Sequence, residues 1–351
     1  MERIDNNLAF MLQFENVAWY EKGKVKILDR RIYPMEIQFV YCNRYTEVAQ
    51  SIKDMVTQSA GPYTAAGMGM ALAAYEARTL DKKNKLQFLE NAAKTISNAR
   101  PTTRDRMIQV TDGCLDIAKK NLESNDLDQI IFDHTVQAME NRYRRIYKIA
   151  QFLNTKIPNG GKIITQCFGE TIIGMMLKVA IEENKEFKLY CPETRPFLQG
   201  ARFTSSVAID MGFDTTVITD NMVAQTMKEE NIDLFTSAAD SICKDGYVVN
   251  KVGTFQMAIV AQYLNIPYFV TGIPDQTKSI TNIDIEYRNP EETLSCHGIK
   301  NTKSMVKGYY PAFDITPPKL IDGVVTDQGI LSPYDLKSYV NSSTDFYRFA
   351  V

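Results

Sequence analysis

The sequence lacks the clustered ligands that most protein metal sites require. It has only two histidines, His134 and His297, and its six cysteines are scattered without any CxxC pair. Zinc clusters need Cys or His ligands at short, regular spacing, so this pattern argues against a metal site. We expect both histidines to be structural or surface residues, and we expect the cysteines to be thiols in a reducing compartment.

Long apolar runs and a strong charge of either sign are also missing. No run approaches the ~18 apolar residues that span a bilayer, and the N-terminus MERIDNNLAFMLQFEN carries acids and amides where a signal peptide is basic and then apolar. A formal net charge of -2 gives no overall attraction to nucleic acid or anionic membranes. GxGxxG and Walker loops for nucleotides are absent as well. We therefore expect a cytoplasmic protein whose partners are small molecules, with no nucleic acid and no membrane among them.

Hydrophobic periodicity divides the 351 residues into two parts. Alternating segments at 13–20, 24–29 and 36–42 predict a small antiparallel sheet, and a helical period predicts helices near 45–57, 63–79, 83–98, 104–123 and 126–154. Short apolar strands then recur at 162–167, 187–191, 215–219, 232–238 and 267–272, separated by helix-sized segments. The predicted fold class is α/β: a domain of residues 1–155 with a small N-terminal antiparallel sheet plus helices, followed by a Rossmann-like, doubly wound parallel sheet in residues 156–351.

Polar residues follow several of these strands, where ligands bind in a doubly wound sheet. Cys167 ends the first strand just before Gly169, and a thiol beside a helix N-terminus has its thiolate favoured. Asp240 follows the fourth strand in a small and apolar context, which predicts a desolvated carboxyl suited to general acid work. On spacing alone a packed cysteine and a helix or turn cap remain open alternatives for these two positions.

Three further residues are candidate ligands of a polar substrate. Gln199 lies among small and apolar residues after the second strand, and its side-chain amide could form a hydrogen bond with a hydroxyl group of a ligand. Asn250 and Lys251, at a helix start, could hold an anionic or hydroxyl-rich ligand. For this pair, solvated surface is the alternative interpretation.

Four segments occur in an order that carries a family resemblance. They are ETRPFLQGARFTS (193–205), ITDNMVA (218–224), AAD…NKVGT (238–254) and YYPAFDITPPKLIDGVVTDQGIL (309–331). Through them the chain resembles, over nearly its whole length, the methylthioribose-1-phosphate isomerase family. That family shares its fold with ribose-1,5-bisphosphate isomerase and with the α, β and δ regulatory subunits of translation initiation factor 2B.

The resemblance implies a catalytic pair and a set of substrate contacts. Cys167 matches the cysteine of the family's Thr-His-Cys-Asn context, here Thr-Gln-Cys-Phe, and Asp240 matches the aspartate of Gly-Ala-Asp-Arg, here Ala-Ala-Asp-Ser. The implied substrate contacts are Arg100, from a Ser-Arg-Pro-Thr motif that reads Ala-Arg-Pro-Thr here, together with Gln199, Asn250 and Lys251.

One family element differs in this chain. Where the isomerases have Arg-Gly-Ala-Pro-Ala-Ile-Gly before a long helix, residues 58–67 read QSAGPYTAAG, so the arginine that would clamp the substrate phosphate is missing. The backbone amides of Ser59, Ala60 and Gly61, at a helix N-terminus, are expected to receive the anion with less charge.

The resemblance implies an aldose–ketose isomerase of a pentose 1-phosphate, which converts S-methyl-5-thioribose 1-phosphate to the ribulose form in methionine salvage. Asp240 would protonate the ring oxygen, and Cys167, as thiolate or thiol, would handle the proton moved between C2 and C1. The resemblance further implies a homodimer with neither metal nor organic cofactor. The alternatives are an isomerase of 5-deoxyribose 1-phosphate, ribose 1,5-bisphosphate or an unphosphorylated pentose, and a non-catalytic regulatory subunit like those of initiation factor 2B.

Overall fold

A computed structural model describes residues 3–100, 104–296 and 298–339. Pro101 and Thr102 of the Ala-Arg-Pro-Thr motif, and His297, lie outside the described residues. The chain forms two compact units, the first ending at Arg144 and the second beginning at Arg145. Within the described ranges, no helix has both the length and the apolar character needed to cross a membrane.

The first unit begins with the predicted antiparallel sheet. Its strands are β1 (Ala18–Glu21), β2 (Lys24–Leu28) and β3 (Phe39–Cys42), paired in that order. The prediction of a strand from residue 13 is wrong for Phe14–Val17, which forms the short helix α1. Phe14 and Val17, three residues apart, are both buried, and the Asp5 carboxylate accepts a hydrogen bond from the Phe14 amide at 2.8 Å. That spacing buries both side chains on one side of a helical turn.

Five longer helices follow along the chain and confirm the five predicted ones. They are α2 (Tyr45–Lys53), α3 (Gly61–Glu76), α4 (Lys82–Ser97), α5 (Arg104–Lys120) and α6 (Leu127–Asn154). Helix α3 is buried along most of its length because it is apolar on every side, and it contacts α2, α4, α5 and β1. Since α6 continues to Asn154, we propose that the chain is best divided into domains at 155/156.

The second unit alternates strands and helices. Its strands are β4 (Gly161–Gln166), β5 (Phe187–Pro192), β6 (Thr215–Ile218), β7 (Leu234–Ala238), β8 (Ser241–Ile242), β9 (Val248–Lys251), β10 (Tyr268–Thr271), β11 (Ser295–Cys296), β12 (Ile299–Lys300), β13 (Phe313–Thr316), β14 (Gly323–Thr326) and β15 (Gly329–Leu331). Its helices are α7 (Glu170–Glu182), α8 (Ser205–Asp210), α9 (Val223–Glu229) and α10 (Thr254–Tyr263).

Seven of these strands form one large sheet in the order β15-β14-β10-β7-β4-β5-β6. All neighbours in it are parallel except the edge strand β15, which pairs antiparallel with β14. Counted from β4 along the chain, the six parallel strands lie in the order 3-2-1-4-5-6 of the Rossmann fold. The predicted fold class and the five predicted strands are confirmed, whereas β14 and β15 were not predicted.

The strand order reverses between β4 and β7, and this switch point positions the candidate site. In such a sheet a crevice opens outside the carboxyl ends of the two strands. Cys167 directly follows β4, and Asp240 follows β7 by two residues. A small antiparallel sheet of β8, β9 and β13 begins right after Asp240 and carries Asn250 and Lys251 on β9.

Candidate functional site

Cys167 lies in a tight turn between β4 and α7. Its φ of 60° is in the left-handed region, which costs a non-glycine residue ~1–2 kcal/mol. The turn is held because the Thr204 hydroxyl donates to the Cys167 carbonyl oxygen at 2.5 Å, and because the Phe168 ring packs on Phe203 with centroids 5.4 Å apart. These contacts fix the thiol at the end of β4.

The Cys167 thiol is protonated at neutral pH. Burial raises its pKa to about 11, and although Lys251 and Arg288 lower the pKa, the Asp240 carboxylate raises it further. The expectation that the helix N-terminus favours the thiolate is therefore wrong, because desolvation outweighs the favourable charges. The same interactions show that Asp240, Lys251 and Arg288 lie close enough to Cys167 to act on its charge.

Asp240 is exposed, so the expected desolvation of its carboxyl is wrong. The apolar strand β7 ends at Ala238, before the aspartate, and the chain then turns into β8. The Asp240 backbone is nevertheless fixed, since its N–H donates to the Val249 carbonyl at 2.9 Å. The carboxylate thus stands at the mouth of the crevice, where a bound ligand would cover it.

Asn250 and Lys251 are both only 5% exposed, so the solvated-surface interpretation is wrong for them. Lys251 pairs with Phe313 of β13, and its ammonium lies 4.5 Å from the centre of that ring. The Asn250 amide donates to the Thr254 hydroxyl at 3.0 Å, and this hydroxyl donates to the Lys251 carbonyl at 2.7 Å. The pair is therefore a buried cation and amide held by the start of α10.

Gln199 is buried directly before a short π-helix, Gly200–Thr204. Within the described part of the chain its Oε1 atom has no hydrogen-bond partner, which costs about 1–3 kcal/mol unless a ligand donor meets it. Asp220 holds the preceding loop, because its two carboxylate oxygens accept from the amides of Thr194 and Arg195, both at 2.8 Å. Asp220 is thus a positioning residue for the loop that presents Gln199.

Tyr310 is a site residue that the sequence analysis missed. It is 4% exposed, and its hydroxyl has no hydrogen bond of normal geometry to any residue that the structure describes. Burial raises the pKa of Tyr310 to about 12; the nearby Arg288 opposes this, whereas the charge of Cys167 adds to it. A buried phenol beside Arg288 therefore lies close to the thiol. Tyr310 belongs to the segment that carried the family resemblance, but no periodicity marks its hydroxyl as functional.

Arg288 is the second missed residue of this site. Its backbone N–H donates to the Tyr310 carbonyl at 3.0 Å, which fixes the two residues side by side. The Arg288 Nε donates to a Glu286 carboxylate oxygen at 2.7 Å, and the guanidinium lies 5.6 Å from the centre of the Phe313 ring. Arg288 and Lys251 thus bring two cations to the same aromatic ring.

The remaining predicted contacts belong to the first unit. Ser59 has a left-handed φ of 56°, Ala60 caps α3, and Gly61 begins the helix. The Gly61 amide donates within the turn to the Gln58 carbonyl at 3.0 Å. A Cβ at Gly61 would lie 2.0 Å from the Thr57 hydroxyl, so the turn requires glycine. Arg100 is half-buried and follows α4.

The fold and the second unit's site together define a Rossmann-type protein with polar and charged side chains gathered at its switch point. A thiol, a carboxylate, two amides, a phenol and two cations are groups that suit acid–base work on an oxygen-rich, anionic molecule. Across the described residues, no three His, Cys, Asp or Glu side chains gather as a metal site.

A family model described as the initiation factor 2 subunit family matches residues 58–333. The chain belongs to this family. The resemblance drawn from its four segments is therefore confirmed at the level of the family.

Similar curated proteins carry isomerase names. Methylthioribose-1-phosphate isomerase 1 of Pseudothermotoga lettingae is 33% identical, over 92% of this chain and 96% of its own length. A protein of Clostridium botulinum named 5-deoxyribose 1-phosphate isomerase is 31% identical, over 92% of this chain and 97% of its own.

Two solved structures resemble both units. The 5-methylthioribose 1-phosphate isomerase of Pyrococcus horikoshii OT3 has a TM-score of 0.82 at 27% identity and covers 93% of this chain and 96% of its own. Subunit delta of the translation initiation factor eIF-2B from A. fulgidus has a TM-score of 0.81 at 28% identity, with 91% and 96% covered. The fold alone therefore does not separate an enzyme from a translation-factor subunit.

Proposed function

We propose that this protein is an aldose–ketose isomerase that converts S-methyl-5-thioribose 1-phosphate to S-methyl-5-thioribulose 1-phosphate, a step of methionine salvage. One observation carries the proposal: Cys167 and Asp240 follow the two strands that flank the switch point, close enough for the carboxylate to act on the thiol. The names of the similar isomerases support it. A regulatory subunit would need the same fold, but it would not need the pair of Cys167 and Asp240 at the switch point.

The chemistry requires ring opening followed by transfer of one hydrogen. Asp240, in its protonated form, donates a proton to the ring oxygen as the bond from C1 to that oxygen breaks. The C1 phosphate oxygen stabilises the resulting positive charge on C1.

Cys167 then handles the hydrogen on C2. Its thiolate takes the C2 proton, and the bonding electrons form a C1–C2 double bond that neutralises C1. The thiol returns this proton to C1 while the C2 hydroxyl becomes a carbonyl and gives its own proton to Asp240. The positive charges of Lys251 and of the opened C1 centre favour the otherwise rare thiolate.

Two substitutions test these roles. Cys167→Ser and Asp240→Asn should each lower turnover of the sugar phosphate by at least about a hundredfold, the scale of general acid–base catalysis. Cys296→Ser and Asp284→Asn, which change a half-buried thiol and an exposed carboxylate elsewhere, serve as matched controls and should retain activity. Near-normal turnover after either site substitution would remove that residue from the mechanism.

A second candidate substrate is 5-deoxyribose 1-phosphate, because the similar Clostridium botulinum protein bears that name. The two sugars differ at C5 and share the 1-phosphate, so the same acid–base steps apply to both. Relative kcat/KM on the two compounds decides between them.

We also propose a homodimer and a cytoplasmic location. Helix α10 exposes Phe255, Ile259 and Tyr263, which are four residues apart and therefore share one face; Tyr263 is 83% exposed. All six cysteines are unpaired thiols, which suits a reducing compartment. Analytical ultracentrifugation should show a dimer that Ile259→Glu shifts to monomer, and a monomeric unmodified protein would contradict the proposed dimer.

A further inference from the structure

A buried arginine in the first unit lacks a counter-charge. Arg142 on α6 is 4% exposed, and its Nε and Nη2 atoms have no hydrogen-bond partner among the residues described. In that same set, no Asp or Glu forms an ion pair with it; the Tyr143 ring lies 5.3 Å from its guanidinium carbon. Arginine cannot shed its charge at neutral pH, and a buried charge is retained only when something compensates it.

The guanidinium of Arg142 reaches the loop that begins α3. Its Nη1 donates a long hydrogen bond of 3.5 Å to the Ala60 carbonyl. A second buried arginine, Arg30, donates from Nη1 to the Gln58 carbonyl at 2.7 Å. The loop that lacks the family's arginine is therefore contacted by two arginines from other elements.

Arg142 also lines a cavity of about 30 Å³ beside this loop. The space exceeds the ~10–15 Å³ that one water requires. Tyr63, Thr64, His134 and Thr135 also line it, and the Thr64 hydroxyl has no partner in the described structure. Burial lowers the pKa of His134, although the charge of Asp116 partly raises it. The imidazole is therefore neutral at pH 7 and offers an N–H donor without a positive charge.

The lining thus combines one permanent positive charge with neutral donors. Its other residues are Val110, Cys114, Ala138 and Met139, so no carboxylate lines the cavity. The Arg106 guanidinium approaches the Tyr63 hydroxyl at 3.5 Å and adds a second cation beside it. Such surroundings fit an anion with several acceptor oxygens rather than a cation or an apolar group.

We propose that Arg142 binds a phosphate group and replaces the arginine missing from the loop at residues 58–61. The ligand class is a phosphate monoester. Anion binding at Arg142 does not depend on the proposed function. Arg142 then lies opposite a negative charge in the complex, which accounts for its retention in a buried position.

The experiment measures the unfolding temperature of the full chain against inorganic phosphate, with chloride holding the ionic strength constant. The variants are Arg142→Met, Arg142→Lys and Arg144→Met; Arg144 is exposed on the same helix and is the matched control. Phosphate should stabilise the unmodified protein and Arg144→Met in a saturable manner. The apparent Kd for phosphate should rise at least tenfold in Arg142→Met. It should rise less in Arg142→Lys, which keeps the positive charge but loses the bidentate hydrogen bonding of the guanidinium.

A second readout separates binding from a structural role. Without phosphate, Arg142→Met should unfold at the same or a higher temperature than the unmodified protein, because it removes an uncompensated buried charge. A purely structural arginine would instead lower that temperature. If Arg142→Met does not fold, the phosphate titration of Arg142→Lys still tests the site.

The outcomes distinguish this inference from the proposed function. No response of the unmodified protein to phosphate, or an unchanged apparent Kd in Arg142→Lys and Arg142→Met, overturns the anion site. Normal phosphate binding by a protein that isomerises no sugar phosphate overturns the proposed function and leaves the anion site intact.

Discussion

The protonation state of Cys167 gives a quantitative test of the site. Burial raises the pKa of the thiol from 9.0 to about 11, which lowers the thiolate fraction at neutral pH about a hundredfold. Because the thiolate is the nucleophile, iodoacetamide should alkylate Cys167 far more slowly than a free thiol such as N-acetylcysteine. Mass spectrometry of the peptide that contains Cys167 follows the rate. Between pH 7 and 10 the rate should rise about tenfold per pH unit without levelling off.

Two substitutions should change the alkylation rate of Cys167 in opposite directions. Lys251→Met removes a charge that lowers the pKa of Cys167, so alkylation should slow, whereas Asp240→Asn removes a charge that raises the pKa, so alkylation should quicken. Restricted access alone would slow the reaction but would not change its pH dependence. The reasoning is refuted if the rate levels off near pH 9, or if Asp240→Asn slows the reaction.

Three other perturbations follow from the geometry of the second unit. Tyr310→Phe should lower kcat about tenfold while leaving the urea midpoint unchanged or higher, since the lost hydroxyl makes no hydrogen bond of normal geometry in the described structure; a lower midpoint would indicate a structural role. Asp220→Ala should raise KM and cost about 1–3 kcal/mol of unfolding free energy by freeing two part-buried amide donors, and an unchanged KM would argue against its positioning role. Burial raises the pKa of Asp314 to about 6, so the folded state binds this proton more tightly than the unfolded state. The contribution of Asp314 to stability is therefore full below pH 3.8 and is lost as pH rises to about 6. Relative to the unmodified protein, Asp314→Asn should gain at most about 3 kcal/mol of unfolding free energy between pH 4 and 7, and a constant difference in urea titrations would contradict this.

Periodicity predicted the architecture well because long helices and buried strands repeat their apolar residues regularly. The five helices α2 to α6 and five strands of the large sheet occur where the pattern placed them. The pattern failed at Phe14–Val17, where one short helical turn interrupts an alternating stretch. It also missed β8, β9 and β13, which are two to four residues long and too short to show a period.

The site was harder to predict because side-chain burial depends on contacts between distant segments. Asp240 was expected in an apolar environment but follows the end of its strand. Tyr310 meets Cys167 only through the pairing of segments far apart in the sequence. Arg142 carried a local signal: it lies three residues after the buried Met139 on α6 and shares its face, whereas the neighbouring Arg144 points to solvent.

The most direct test of the proposed isomerase activity is a turnover assay on a panel of substrates, in which NMR detects the ketose product. The panel contains S-methyl-5-thioribose 1-phosphate, 5-deoxyribose 1-phosphate, ribose 1,5-bisphosphate and an unphosphorylated pentose. We expect conversion of the first compound to its ketose with the highest kcat/KM, and loss of that conversion in Cys167→Ser. Absence of any ketose from all four compounds, with a folded protein, would contradict the proposed isomerase activity and favour a non-catalytic subunit.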